Sequence, residues 1–367
     1  MGKFGILICV VSFLGAIPHL MFGQEVKIYN TDAPEILNIW HRIGDFSPKL
    51  RAVESAELSP DGRLAVSGSK FGYKVMLWNT ADGSLVWENA HDSEVECVVF
   101  SPDGKRIATG GEDFMVRIWD VATGEQLASW EHDGGLDGIT WSHDGSLIAS
   151  GSEAGDAWLW NGSDYSLIGK IKTGSTINSL RFTKDDAYLA VGGNNQIKDP
   201  QSQNTIYKGF ASLIEVKTQK VIREYNGMEG SVKSVRISPD EQFLATGGFD
   251  KTARIFDFKT GELLHTYERP LRVEAVDFTP DGQYLAIGGH ELQITFIRMS
   301  DFKEVSQLAT PRTEYIHFSR DGRLMLTAHE DSGLVSLYMF LSNVQQGATY
   351  HKLADEQLNN RDLNKNR

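Results

Sequence analysis

The stretch SPDGKRIATGGEDFMVRIWDVATGE, residues 101–125, combines tight-turn signals with short alternating runs. Its opening SPDG suits a turn, because Pro presets φ at the first corner and Gly tolerates the backbone that follows. The next runs, RIATGG and VRIWDV, alternate apolar with polar residues and contain β-branched and aromatic side chains. Such alternation predicts two β-strands joined by a short turn.

The same turn recurs along the chain. Recognisable copies begin at residues 59, 101, 142, 183, 238, 279 and 319, with spacings of 42, 41, 41, 55, 41 and 40 residues. A period near 40 residues is typical of propeller blades. Each copy contains four strand-like runs in the same order. A lone four-stranded sheet cannot bury both of its apolar faces, whereas seven sheets packed radially can. We therefore predict an all-β fold, a seven-bladed β-propeller of four-stranded antiparallel blades.

The two ends of the repeat array are complementary. EILNIWHRI, residues 35–43, stands where the other copies carry their fourth strand, while the last copy ends after its third strand, LVSLYMF, residues 334–340. We expect the N-terminal strand to complete the last blade and close the ring. The propeller is predicted within residues 24–340, and the polar residues 341–367 are expected to form a disordered tail.

Together the copies resemble the WD-repeat (Trp-Asp repeat) family. In the second copy, which has the fullest family pattern, the resemblance implies a structural tetrad of His91, Thr109, Asp113 and Trp119. Asp113 would hold the His91 ring, which would reach Thr109, and Thr109 would bond the Trp119 indole. The other copies depart from this pattern to different degrees, so we do not expect the network in every blade.

Residues 1–23 resemble a targeting segment. They have one early Lys3, an apolar stretch and small residues before Gln24, a layout typical of a secretory signal peptide. The stretch is also just long enough to span a bilayer, so an uncleaved N-terminal anchor is the alternative. In either case we expect the propeller to lie outside the cytoplasm, secreted or periplasmic. Cleavage would leave Cys97 as the one cysteine, without an internal disulfide.

Charge and motifs limit the function. With 36 Lys and Arg against 49 Asp and Glu, the net charge is −13, which disfavours nucleic acid as a partner and membrane contact beyond an anchor. The chain contains no HExxH, paired CxxC, GxSxG, Walker or GxGxxG motif. We expect no catalytic residue, no metal and no cofactor. The rival interpretation is an enzyme or small-ligand binder that uses the central channel, quinoprotein-like or hydrolase-like. Its support is Trp87, which follows an Asp-Gly turn in a pattern similar to that of quinone propellers.

The turns between second and third strands carry large side chains where small polar ones are usual. They include Phe71, Tyr73, Phe114 and Phe249. Arg269 and Arg272 lie near the same predicted rim. The aromatic residues either cap the blade beneath them or form contact hot spots for a partner.

The fourth copy is longer by 14 residues, and the excess falls in residues 194–210, between its second and third strands. Tyr207 and Phe210 lie near the end of this insertion. Long insertions in compact repeats are either functional or tolerated, and we favour a partner-binding loop. We therefore predict a monomeric, non-catalytic scaffold that binds a protein or peptide on its rim.

Overall fold

The computed structural model describes residues 39–46, 52–198 and 204–341. These residues form seven four-stranded sheets, which we number as blades one to seven. Blades one to three comprise β2 (Val53–Leu58), β3 (Leu64–Ser69), β4 (Lys74–Asn79) and β5 (Leu85–Ala90); β6 (Val95–Phe100), β7 (Arg106–Gly111), β8 (Met115–Asp120) and β9 (Gln126–Glu131); and β10 (Gly138–Trp141), β11 (Leu147–Gly151), β12 (Asp156–Asn161) and β13 (Leu167–Lys172). Blades four and five comprise β14 (Thr176–Phe182), β15 (Tyr188–Lys198), β16 (Thr205–Glu215) and β17 (Lys220–Tyr225); and β18 (Val232–Ile237), β19 (Phe243–Gly248), β20 (Thr252–Asp257) and β21 (Leu263–Glu268). Blades six and seven comprise β22 (Val273–Phe278), β23 (Tyr284–Gly289), β24 (Gln293–Arg298) and β25 (Lys303–Ala309); and β26 (Tyr315–Phe318), β27 (Leu324–His329), β28 (Leu334–Leu341) and β1 (Ile39–Phe46).

Closure of the ring uses the N-terminal strand. β1 pairs antiparallel with β28, Trp40 opposite Phe340 and Phe46 opposite Val335. The innermost strands of successive blades touch around the circle, and β26 contacts β2. The predicted all-β, seven-bladed fold with an N-terminal closing strand is therefore confirmed. The strand covers residues 39–46 rather than the predicted 35–43, and residues 35–38 lie outside the described part of the chain.

The predictions for the two ends of the chain fall outside the described residues. Residues 1–23, predicted as a signal peptide or anchor, and residues 342–367 of the predicted tail are not described. Within the described ranges, no helix has the length and apolar character required to cross a membrane.

The apolar core lies between neighbouring blades. Val66 and Leu77 of blade one pack with Val98, Ile107 and Trp119 of blade two, and all five side chains are buried. Each of the remaining pairs of adjacent blades shares a similar cluster. The strand alternation is thus explained, because each sheet must present apolar side chains to two neighbours.

The repeated turn has one local structure in all seven blades. In blade two the Ser101 hydroxyl donates to Asp103 Oδ1 at 2.6 Å, and the Lys105 N–H donates to the same oxygen at 3.1 Å. Equivalent Ser or Thr to Asp bonds follow in each blade at 2.6–2.8 Å. These bonds account for the repeated Asp as a turn residue.

The Gly-Gly pairs that end several second strands permit a bulge in the innermost strand. Val95 lies opposite Gly111 and Cys97 opposite Gly110, so Glu96 has no residue opposite it. A Cβ on Gly111 would overlap the Glu94 carbonyl oxygen. The same register shift occurs in blades one, four, five and six. Because a bulge redirects the side chain of its extra residue, this device decides what lines the end of the channel.

Candidate functional site

The four residues of the implied tetrad form one chain of hydrogen bonds in blade two. His91 Nδ1 lies 3.0 Å from Asp113 Oδ1, and His91 Nε2 lies 2.7 Å from Thr109 Oγ1. Trp119 Nε1 donates to Thr109 Oγ1 at 2.9 Å. Since the carboxylate only accepts, His91 carries its proton on Nδ1 and accepts from the Thr109 hydroxyl at Nε2. Burial lowers the pKa of His91, which favours this neutral form.

Arg117 belongs to the same network, although the sequence pattern did not single it out. Its Nη1 donates to Asp113 Oδ2 at 2.5 Å, and its Nη2 lies 3.2 Å from Asp92 Oδ2. Burial opposes ionisation of Asp113, but bonds from His91 and Arg117 hold its pKa well below the usual range. Blade five repeats the ion pair between Arg254 and Asp250 at 2.6 Å. The runs VRIWD and ARIFD place an Arg at the same position of both blades, and this shared position is the sequence signal that could have identified Arg117.

Blade three has only part of the network. Trp160 Nε1 donates to Ser150 Oγ at 3.0 Å, as the tetrad pattern requires. His132, however, pairs with Asp133 at 2.6 Å, and its Nε2 has no hydrogen-bond partner among the described residues. The absence of an acidic residue at Ala154 explains why the ring turns to its neighbour.

The surface that carries the turns between second and third strands is here named the upper face. Five aromatic side chains on it are exposed, by 38–52%: Phe71, Tyr73, Phe114, Tyr207 and Phe249. Tyr73 and Phe114 also have φ values of 58° and 63°. Bulky residues seldom adopt this left-handed conformation, which costs about 1–2 kcal/mol. Lys251 has the same left-handed φ at the equivalent turn of blade five, so the conformation belongs to the turn. The exposed aromatic ring is what distinguishes Tyr73 and Phe114.

The two arginines predicted for the rim have different environments. Arg272 is exposed, and its guanidinium carbon lies 4.6 Å from the centre of the Phe249 ring. The side chain of Arg269 is only 9% exposed and pairs with Glu291 at 2.7 Å and Glu304 at 2.9 Å. Arg269 therefore joins the strands of blades five and six instead of facing a partner, because two carboxylates already compensate its charge.

The insertion of blade four is a hairpin rather than a loop. β15 and β16 stay paired from Tyr188 and Glu215 out to Lys198 and Thr205, so the prediction of a loop over residues 194–210 was wrong for most of that range. Tyr207 is exposed on this hairpin. Phe210 lies closer to the ring and packs against the core between blades three and four, so it serves packing instead of the rim.

At the upper end of the central channel, seven side chains form a ring that we name the channel mouth. One comes from the start of each innermost strand or the residue before it: Glu54, Glu96, Asp137, Asn178, Lys233, Glu274 and Glu314. Five are bulge residues, which explains their shared direction. This ring was not predicted, although the sequence carries a signal for it in the polar residue at the second position of runs such as VECVVF and VEAVDF.

The channel mouth carries an excess of carboxyl groups. Burial and the neighbouring Glu54 raise the pKa of Glu96 to about 9. Burial and Glu274 raise the pKa of Glu314 to about 8. Lys233 Nζ compensates part of the charge from 3.3 Å away from Asp137 Oδ1. The acids thus hold protons that a cationic ligand or side chain could displace.

A second group of charged residues lies three positions further along the innermost strands than the channel mouth. Its positive and negative side chains pair with one another. Arg236 Nε lies 3.5 Å from Asp277 Oδ1, and Arg181 donates to the Tyr315 hydroxyl at 2.6 Å. His317 Nδ1 accepts from a backbone N–H, so its Nε2 carries the proton and faces Glu57 Oε1 at 3.6 Å. Burial, Arg181 and Arg236 lower the pKa of His317 to about 3. This paired group supports the ring structurally.

Cys97 and Trp87, the two residues weighed above for reactivity or cofactor binding, both have structural roles. Cys97 is buried, and burial raises the pKa of its thiol, which keeps it unreactive. Trp87, the residue of the quinone-like pattern, donates its indole N–H to the Val121 carbonyl at 2.9 Å. That bond ties the outer strand of blade one to blade two.

The closed ring of four-stranded sheets defines this chain as a seven-bladed β-propeller. The family model described as "WD domain, G-beta repeat" matches residues 83–120, 124–161 and 219–257. Each matched segment comprises the outer strand of one blade and the three inner strands of the next, the same offset that places β1 in the last blade. Three of the seven repeats thus match the WD-repeat model.

Several characterised proteins are similar to parts of the chain. The guanine nucleotide-binding protein subunit beta of Oryza sativa subsp. japonica is 24% identical over 233 residues, 59% of this chain and 58% of that protein. Eukaryotic translation initiation factor 3 subunit I of Phaeosphaeria nodorum is 42% identical over 57 residues, 16% of this chain and 17% of that protein. Telomerase protein component 1 of Rattus norvegicus is 30% identical over 106 residues, 28% and 4% of the two chains. The aligned parts thus span little more than half of the rice protein and far less of the others.

Proposed function

We propose that this chain is a non-catalytic interaction scaffold that binds a protein or peptide partner on its upper face. The observation that carries this proposal is the set of exposed aromatic side chains on rigid turns around the channel, above all Phe114 and Phe249. Aromatic side chains on a preformed surface bind at a low cost in conformational entropy. The similar proteins are, by their names, subunits or a component of larger assemblies, which agrees with such a role.

The charge of the surface specifies the partner further. The acidic channel mouth lies at the centre of the upper face, while Arg272 lies outside it against Phe249. An apolar segment with a Lys or Arg could place its apolar residues on the aromatic turns and its cation at the mouth. Opposite charges of this kind set orientation and association rate more than affinity.

The experiment begins with crosslinking and mass spectrometry in the native compartment, which identifies the partner. Binding of that partner is then measured by calorimetry for F114A, F249A and a variant without residues 196–206. We expect each change to weaken binding at least tenfold with little effect on the melting temperature. The matched control is I168A, which removes a side chain that is 51% exposed on the outer strand of blade three. Binding that survives all three changes would refute the upper-face site.

The enzyme alternative has a separate test. Native mass spectrometry of the purified protein would reveal a tightly bound quinone or other organic cofactor in the central channel. Detection of such a group at one per chain would replace the scaffold proposal with a cofactor enzyme.

We also propose that the scaffold acts outside the cytoplasm. The support is the composition of residues 1–23, which is typical of a signal peptide. Cell fractionation and mass spectrometry of the mature N-terminus test this proposal. A cytoplasmic protein that retains Met1 to Gly23 would contradict it.

A further inference from the structure

Three ligand-type side chains from distant parts of the sequence meet beside the channel mouth. Glu274 is the bulge residue of β22, His290 follows β23 in the same blade, and Glu314 precedes β26 in blade seven. His290 Nε2 lies 3.2 Å from Glu274 Oε1 and 3.8 Å from Glu314 Oε1. One donor atom from each residue lies within 4.8 Å of the other two. The ring geometry therefore creates a cluster that no local motif announces.

The burial of this cluster is unusual for two carboxyl groups. The side chains of Glu274 and Glu314 are 4% and 10% exposed, and that of His290 is 20% exposed. Glu314 Oε1 is buried and has no hydrogen-bond partner among the described residues. A buried oxygen without a partner is costly, and in native proteins it usually indicates an ion or water that completes the site.

The nearby cations are engaged with other groups. Arg272 stacks on Phe249, and Arg312 pairs with Asp331 at 3.1 Å. Lys233 pairs with Asp137. Lys70 pairs with Glu54 at 3.6 Å and with Glu330 at 3.9 Å. Among the described residues, no Lys or Arg side chain lies within ion-pair distance of Glu274 or Glu314.

We propose that Glu274, His290 and Glu314 form a binding site for a divalent transition-metal cation, with Zn²⁺ as the best fit. One imidazole and two carboxylates are donors that Zn²⁺ accepts at about 2.0–2.2 Å. In a tetrahedral site with such bonds, neighbouring donor atoms are separated by roughly 3.3–3.5 Å. The two separations from His290, 3.2 Å and 3.8 Å, are close to this range, and the two carboxylate oxygens lie within 4.8 Å of each other.

The position of the site gives the ion a defined role. Two ligands belong to blade six and one to blade seven, the blade completed by β1. A bound ion therefore bridges blades six and seven at the inner edge of the ring, whereas β1 closes blade seven at its outer edge.

The test uses the full chain after treatment with a chelator and dialysis, with Zn²⁺ alone as the probe. Isothermal titration calorimetry gives stoichiometry and affinity, and differential scanning fluorimetry gives the melting temperature with and without Zn²⁺. H290A removes one donor, and E314Q replaces a carboxylate donor with a neutral amide, which binds Zn²⁺ far more weakly. H143A is the matched control, because His143 also pairs with a carboxylate, Asp186, at 2.9 Å but is 57% exposed and far along the sequence from the site.

We expect one Zn²⁺ per chain, a rise in melting temperature, and at least a tenfold loss of affinity in E314Q and in H290A but not in H143A. E314Q preserves the shape of the side chain, so it remains informative if H290A does not fold. Calcium or magnesium that binds at the site more tightly than Zn²⁺ would overturn the assignment to a transition metal. The site itself is refuted if Zn²⁺ fails to bind at one per chain or binds E314Q as tightly as the unaltered protein.

Discussion

Trp119 Nε1 and Thr109 Oγ1 are joined by a buried hydrogen bond of 2.9 Å, and the same Thr109 hydroxyl bonds the His91 ring at 2.7 Å. Replacement of Thr109 by Val keeps the shape of the side chain but leaves both ring nitrogens without this hydroxyl. Because each orphaned buried group costs about 1–3 kcal/mol, we expect T109V to lower the free energy of unfolding by roughly 2–4 kcal/mol. Urea denaturation measures this loss.

Blade three supplies the comparison for T109V. Ser150 accepts from Trp160, but His132 turns to Asp133 instead of reaching Ser150. S150A therefore orphans one ring nitrogen instead of two and should cost about half as much. Equal losses in T109V and S150A would show that the hydrogen bond to His91 contributes nothing.

Acid should weaken the network through Asp113. Its pKa in the folded protein is depressed by His91 and Arg117 despite burial, so its stabilising contribution is present above the unfolded value of about 3.9 and is lost as pH falls. We expect D113N to be less stable than the unaltered protein at pH 7, and the difference to shrink between about pH 5 and pH 3. Melting temperatures at matched pH values test this. A difference that stays constant down to pH 3 contradicts the assignment.

The channel mouth predicts the opposite pH dependence. The pKa of Glu96 is about 9 in the folded protein, well above its unfolded value of about 4.3. A raised carboxyl pKa makes the folded state less stable as pH increases from the unfolded value to the folded one. E96Q should therefore be more stable than the unaltered protein at pH 8, by on the order of 1 kcal/mol, with a smaller gain at pH 5. E125Q, which makes the same substitution at an exposed position, is the matched control.

The glycine at the bulge of blade two has no room for a side chain. A Cβ on Gly111 would overlap the Glu94 carbonyl oxygen, so G111A must displace the backbone that positions Glu96. We expect a loss of more than about 2 kcal/mol in unfolding free energy. In G174A the new methyl group meets open space, and only the left-handed φ of 68° adds a cost of about 1–2 kcal/mol. Urea titrations that rank G174A as the more destabilised variant would argue against the steric explanation.

Ring closure can be tested by shortening the chain. Removal of residues 1–46 deletes β1 and leaves the backbone groups of β28 unpaired along a sheet edge. We expect a marked decrease in melting temperature and association at high concentration, measured by scanning fluorimetry and light scattering. Removal of residues 1–23 alone leaves β1 intact and should change neither quantity.

Most of the fold could be predicted because the sequence repeats the same short pattern about every 40 residues. Seven turns at a regular spacing, each followed by alternating residues, specify seven equivalent sheets, and the unmatched strands at the two ends specify how the ring closes. The tetrad of His91, Thr109, Asp113 and Trp119 could be predicted for a related reason. All four residues lie within one repeat, so their spacing along the chain is characteristic.

Only the tertiary structure showed which side chains of the upper face are exposed and which are paired or packed. The same local pattern could not show that Arg269 is enclosed by Glu291 and Glu304, that Phe210 packs inward, or that the insertion continues the strands of blade four. It also could not bring Glu274, His290 and Glu314 together. These residues come from different strands or blades, and only the radial packing of blades sets their distances. A chain determines its repeats by short-range geometry, whereas a site between repeats exists only after the ring has closed.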